Sequence, residues 1–93
     1  MHAIKDRTEE HHNINKIVGT NLRFIRNCKR ITLMGLAEVM QIRFQQIQKY
    51  EKGSNGISIP KLMRASKYLK FSFKWMFSVF KHKEVEDESK VNK

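Results

Sequence analysis

Apolar residues recur along this chain at steps of three and four, and the steps fall into five runs. Ile14, Ile17, Val18, Leu22, Ile25 and Cys28 make the first, a stripe that predicts a helix over residues 14 to 28 with Asn13 or Asn15 as its cap. Thr32 then caps a short second helix in which Leu33, Leu36, Ala37 and Met40 share one face. Gln41-Ile42-Arg43 breaks the phase. A third helix is expected from Phe44 to Lys52, with Ile47 and Tyr50 turned inward and Gly53 as its stop. Beyond the loop Ser54-Asn55-Gly56-Ile57, Ser58 opens a fourth helix that tolerates Pro60 in its first turn and turns Leu62, Ala65, Ser66 and Leu69 inward. Ser72 caps a fifth, running from Phe73 to about Phe80. One proline and four glycines suit helices better than a sheet of many turns, so the predicted fold class is all-α.

Ninety-three residues make one domain with a single modest core. The expected division is a flexible N-terminal segment at 1–13, a helical domain at 14–80 and a charged, flexible tail at 81–93. No apolar run approaches the roughly 20 residues of a membrane span, and the N-terminus lacks the apolar centre of a signal peptide. The single cysteine excludes an internal disulfide, and its place on the apolar stripe predicts a small buried hydrophobe. An intracellular chain is expected.

Charge sharpens the picture. Thirteen of the nineteen Lys and Arg residues lie between Lys16 and Lys74, where only Glu38 and Glu51 oppose them, a local excess of eleven positive charges. The acids Glu84, Glu86, Asp87 and Glu88 are matched by lysines in the tail. The basic character therefore belongs to the folded body and points to an anionic partner, with nucleic acid ahead of a membrane surface. His11-His12, with His2 nearby, do not form a metal set, because adjacent histidines point to different sides of a regular element and no third close ligand joins them. No residue set calls for a metal, a cofactor or catalysis.

The second helix, its three-residue link and the third helix match a helix-turn-helix. Ala37 is small where two helices must approach closely, Ile42 plugs the turn, and Ile47 and Tyr50 anchor the third helix to the first. The outer face of that helix is then free for a major groove about 12 Å wide. Leu22-Arg23-Phe24-Ile25-Arg26, Leu36-Ala37-Glu38 and Tyr50-Glu51-Lys52-Gly53 together resemble the lambda-repressor-like, or Xre-type, helix-turn-helix proteins of bacteria and phages. Residues 44 to 58 look especially similar to chromosomal regulators of alphaproteobacteria, and Phe71-Ser72-Phe73-Lys74-Trp75-Met76 is similar to the family's closing helix. The resemblance covers about residues 15 to 80. It implies a five-helix domain, double-stranded DNA as partner, and a place in the cytoplasm at the bacterial nucleoid.

Three positions depart from the family pattern. Gln41 stands at the usual glycine of the turn, where a left-handed backbone costs about 1 kcal/mol. Arg43 precedes the third helix and cannot cap it by accepting a bond, although a guanidinium there can reach a phosphate or guanine. Leu33 replaces a glutamine that holds the DNA backbone, leaving the amides at the start of the second helix to serve.

The resemblance places base contacts at Gln45, Gln46 and Lys49, since glutamine can bind adenine in two places and lysine can reach guanine O6 or N7. Gln48 points elsewhere. Phe44 either packs under the second helix or touches a thymine methyl. Arg43 is expected at the DNA, and Lys52, Ser54, Asn55 and the Gly56 amide at phosphates. Arg26 and Glu51 occupy positions of an internal ion pair. Lys61, Arg64, Lys67, Lys70 and Lys74 are mainly solvated. The fifth helix is more apolar than one buried side requires, with Phe73, Met76, Phe77 and Phe80 on one stripe and Trp75 and Val79 roughly opposite. That surplus predicts a two-fold dimer, with Trp75, Met76, Val79 and Phe80 at its interface.

The expected function is sequence-specific transcription regulation by a homodimer on a palindromic operator, with repression as the simplest mechanism. One alternative is an autorepressing antitoxin whose C-terminal tail binds a toxin. The other is a protein-interaction module that keeps the fold without the DNA function.

Overall fold

Side-chain caps open three of the helices. In the computed structural model, which describes residues 2–79 with side chains from residue 9 onward, five helices occur among the described residues: α1 (His2–Cys28), α2 (Leu33–Met40), α3 (Phe44–Lys52), α4 (Ile59–Leu69) and α5 (Phe73–Met76). Thr32 Oγ1 accepts from the Gly35 amide at 2.9 Å, Ser58 Oγ from Lys61 at 3.4 Å and Ser72 Oγ from Trp75 at 3.1 Å. Each occupies one of the amides that a helix start leaves without an internal acceptor. Left-handed backbone follows the C-terminal ends of α1 to α4, at Arg30, Gln41, Gly53 and Lys70, three of them not glycine.

The buried core joins Val18 and Leu22 of α1, Leu36, Ala37 and Met40 of α2, Ile47 and Tyr50 of α3, Leu62, Ala65 and Leu69 of α4, and Met76. α1 lies against α3 and α5, while α2 lies against α3 and α4. α3 is thus held from both sides. The α1–α3 crossing is close: a Cβ on Gly19 would stand 2.8 Å from the Glu51 carbonyl oxygen and collide with that of Tyr50.

Two expectations about α1 change. The helix begins at His2, so Asn13 and Asn15 lie inside it and neither caps it. Glu9 to Asn13 are exposed and carry no apolar stripe, so periodicity gave no signal there. The stripe itself is buried only at its centre. Ile14 is 46% exposed, and Cys28 is exposed rather than packed inside.

α5 also differs. It spans four residues rather than reaching Phe80, and Phe77 ends it. At that end Asn21 of α1, 2% exposed, donates from Nδ2 to the carbonyl oxygens of Met76 and Ser78, both at 2.7 Å. These bonds satisfy carbonyls at the end of a helix and fix the chain as it leaves α5. So short a helix has no second face of its own. Met76 is fully buried in the core of its own chain, which removes it from the expected dimer interface. Trp75 is half-buried between Phe24 and Phe71, with ring centroids 6.4 and 6.2 Å away. Val79 is 80% exposed. Phe80 and the charged tail with its acids at 84 to 88 lie outside the described residues.

Candidate nucleic-acid interface

The orientation of α3 is decided by what holds its inner face. Ile47 is fully buried and Tyr50 nearly so. At the C-terminal end, Arg26 of α1 grips Glu51, Nε to Oε2 at 2.7 Å and Nη2 to Oε1 at 3.1 Å, and its third nitrogen donates to the Ile31 carbonyl at 2.8 Å. Both side chains are buried, so this is an internal tie. The two charges answer each other and belong to the scaffold, as the family resemblance implies.

With that face locked, Gln45, Lys49 and Lys52 are left exposed at intervals of four and three residues, one stripe along the outside of α3. At a rise of about 1.5 Å per residue the stripe is about 10 Å long, which matches about three base pairs at 3.4 Å each. Gln46 is half-buried on its flank, as is Gln48. Arg43 is exposed and makes no capping bond, so its guanidinium is available at the open end of α3.

The link between α2 and α3 sets their crossing. Gln41 sits at φ 58° and ψ 44°, its amide bonded to the Glu38 carbonyl at 3.2 Å and that of Ile42 to Ala37 at 3.0 Å. This paired closure brings a left-handed residue to a place where glycine is the easier choice. Arg64 of α4 donates to Gln41 Oε1 at 3.2 Å, so it is engaged with the turn rather than simply solvated. Phe44 is half-buried against the core, yet it also borders an open hollow between the starts of α2 and α3 together with Met34, Ile42, Arg43 and Gln45. Met34 was not singled out in the sequence. Its signal was its place off the stripe of Leu33, Leu36 and Met40.

Past α3, the amides of Ser54 and Asn55 turn back to the Lys49 carbonyl at 2.9 and 3.4 Å. Those two amides close the helix. Asn55 is exposed and borders a small cavity shared with Ile14, Asn15 and Tyr50, on the α1 side of the loop. Lys61, Lys67, Lys70 and Lys74 are exposed. Among the described residues no helix is long and apolar enough to cross a membrane, and no group of three or more His, Cys, Asp and Glu residues could hold a metal ion.

A buried anchor, a three-residue link with a left-handed start and an outward polar helix define a helix-turn-helix domain. A helix-turn-helix family model matches residues 22–76, more than half of the chain. The chain belongs to the lambda-repressor-like, Xre-type helix-turn-helix family. It is 37% identical over 60 residues to an uncharacterized HTH-type transcriptional regulator of Sinorhizobium fredii, covering 64% of this chain and 42% of that one. A regulator of the same description from Rickettsia conorii is 33% identical over 64 residues, 69% of this chain and 51% of the relative. Another, from Rhizobium meliloti, is 37% identical over 60 residues, 64% and 43%. This chain therefore spans about half the length of the curated relatives it matches. No solved structure matches it.

Proposed function

We propose that this chain is a sequence-specific DNA-binding transcription regulator that represses by occupying a palindromic operator as a homodimer. One observation carries the reading: the outer face of α3 offers Gln45, Lys49 and Lys52 in a single exposed stripe, while its inner face is fixed by Ile47, Tyr50 and the Arg26–Glu51 pair. A rigid helix with side chains suited to base edges satisfies the geometric need of major-groove reading. Arg43 at one end and Asn55 beyond the other bracket the stripe, and with Lys52 they supply contacts to the DNA, chiefly phosphates. Gln46 reaches the groove from the flank. The surrounding positive charge gives affinity without choice, and the stripe gives choice.

The homodimer is supported by exposed apolar side chains on one side of the domain. Ile14, Ile59 and Phe77 are 46%, 56% and 44% exposed and border the same cavity. Val79, also exposed, borders a separate hollow with Lys16, Ile17 and Thr20. A second copy covering these side chains would pair two α3 helices, and a palindromic operator asks for half-sites about 34 Å apart. The test is selection of duplexes from a random pool at moderate salt. An enriched inverted repeat with that spacing supports the reading, and recovery of unselected sequence contradicts it.

A further inference from the structure

We infer that Met34 and Phe44 form an apolar reading edge for a thymine 5-methyl group, next to the polar stripe of α3. The inference rests on the DNA-binding reading above and names a base chemistry that the polar stripe alone does not supply. Met34 is 69% exposed, on the first turn of a helix whose Leu36, Ala37 and Met40 are buried. A single exposed methionine is ordinary on a protein surface. This one borders the same hollow as Phe44, Ile42, Arg43 and Gln45, at the mouth between the two helices of the helix-turn-helix.

The charge around the hollow limits what fits it. Residues 16 to 74 carry thirteen basic side chains against two acids, so a polyanion is the favoured occupant. Glu38 and Arg43 both line the hollow, so their charges offset and a phosphate gains little inside it. The hollow therefore faces base edges better than it faces backbone. On the major-groove edge of DNA the apolar group is the thymine methyl. Methionine is flexible and polarisable, suited to follow a methyl that shifts with local helix geometry. Phe44 gives the hollow a fixed floor, since its ring is packed against the core. Gln45 beside it can take the adenine of a neighbouring pair.

The experiment uses the duplex recovered from the random pool and replaces its thymines one at a time by deoxyuridine, which differs only in lacking the methyl. At one position in each half-site, affinity is expected to fall about four-fold, the effect of one buried methyl. Cytosine at that position binds worse than thymine, and 5-methylcytosine recovers part of the loss. The Met34→Ala variant is expected to lose most of the difference between the thymine and uracil duplexes, with unchanged helix content by circular dichroism. A half-site without thymine, or a thymine preference that survives Met34→Ala, overturns the inference while leaving the regulator reading intact. Loss of self-association in Met34→Ala with thymine preference kept also overturns it, by assigning the hollow to a second copy. A pool that enriches no sequence overturns both readings.

Discussion

Gly19 of α1 lies so close to the end of α3 that a Cβ built on it would collide with the Tyr50 carbonyl oxygen. The atom in the way is backbone, which cannot rotate aside as the end of a side chain can. The two helices meet at this distance because position 19 has no side chain. Gly19→Ala is expected to destabilise the domain by about 3 kcal/mol, the upper part of the range for overpacking. Thermal unfolding checks this. A melting temperature within a degree of the parent would show that α1 and α3 do not cross this tightly.

The Arg26–Glu51 pair gives a second prediction. Glu51 is 7% exposed at its side chain, so removing Arg26 leaves a buried carboxylate without its cation. Arg26→Met is expected to lower stability by about 3–5 kcal/mol, and the double change Arg26→Met with Glu51→Leu by clearly less. The measurement is a double-mutant cycle by chemical denaturation. Additive losses would mean that the two side chains do not interact.

Asn21 makes a third test possible. Its Nδ2 bonds to the Met76 and Ser78 carbonyls at 2.7 Å hold the exit from α5. Asn21→Leu is expected to cost about 2 kcal/mol, since buried carbonyls lose their donor. Hydrogen exchange should quicken in residues 73 to 79 and stay unchanged in α3. Uniform quickening across all helices would contradict a local clamp.

The helix-turn-helix was legible in the residues because each of its parts has one physical task. Ala37, Ile42, Ile47 and Tyr50 are spaced as the core requires, and the structure buries or half-buries all four. Arg26 and Glu51 were legible as a pair through the resemblance. Asn21 was not singled out, because a polar residue in a basic helix reads as surface. Its one signal is position: it stands three residues after Val18 and one before Leu22, inside the buried stripe. Met76 was misplaced for a related reason. A stretch as rich in apolar residues as Phe71 to Phe80 does not say where its helix stops, and the side chain that bonds the Met76 carbonyl stands fifty-five positions away. The extension of α1 to His2 left no periodic trace, as Glu9 to Asn13 pack on nothing.

Lys70 ends α4 in left-handed backbone at φ 64°. Lys70→Gly relieves that strain but adds freedom to the unfolded chain, and the balance is expected to raise stability by about 0.5 kcal/mol. Equilibrium unfolding in urea measures it. A loss of more than about 1 kcal/mol would show that the lysine makes a contribution beyond its backbone.

The outer stripe of α3 is the centre of the functional account, and its most direct test is a ratio of affinities. The dissociation constant for the selected duplex is measured against that for random duplex at one moderate salt concentration, for the parent and for Gln45→Ala and Lys49→Ala. Each substitution is expected to reduce the preference for the selected sequence by about 1–3 kcal/mol, roughly 5- to 150-fold. Binding to random DNA is expected to be unchanged in Gln45→Ala and to weaken modestly in Lys49→Ala, which removes a charge. If both variants keep the full preference of the parent, α3 does not read bases and the account is contradicted.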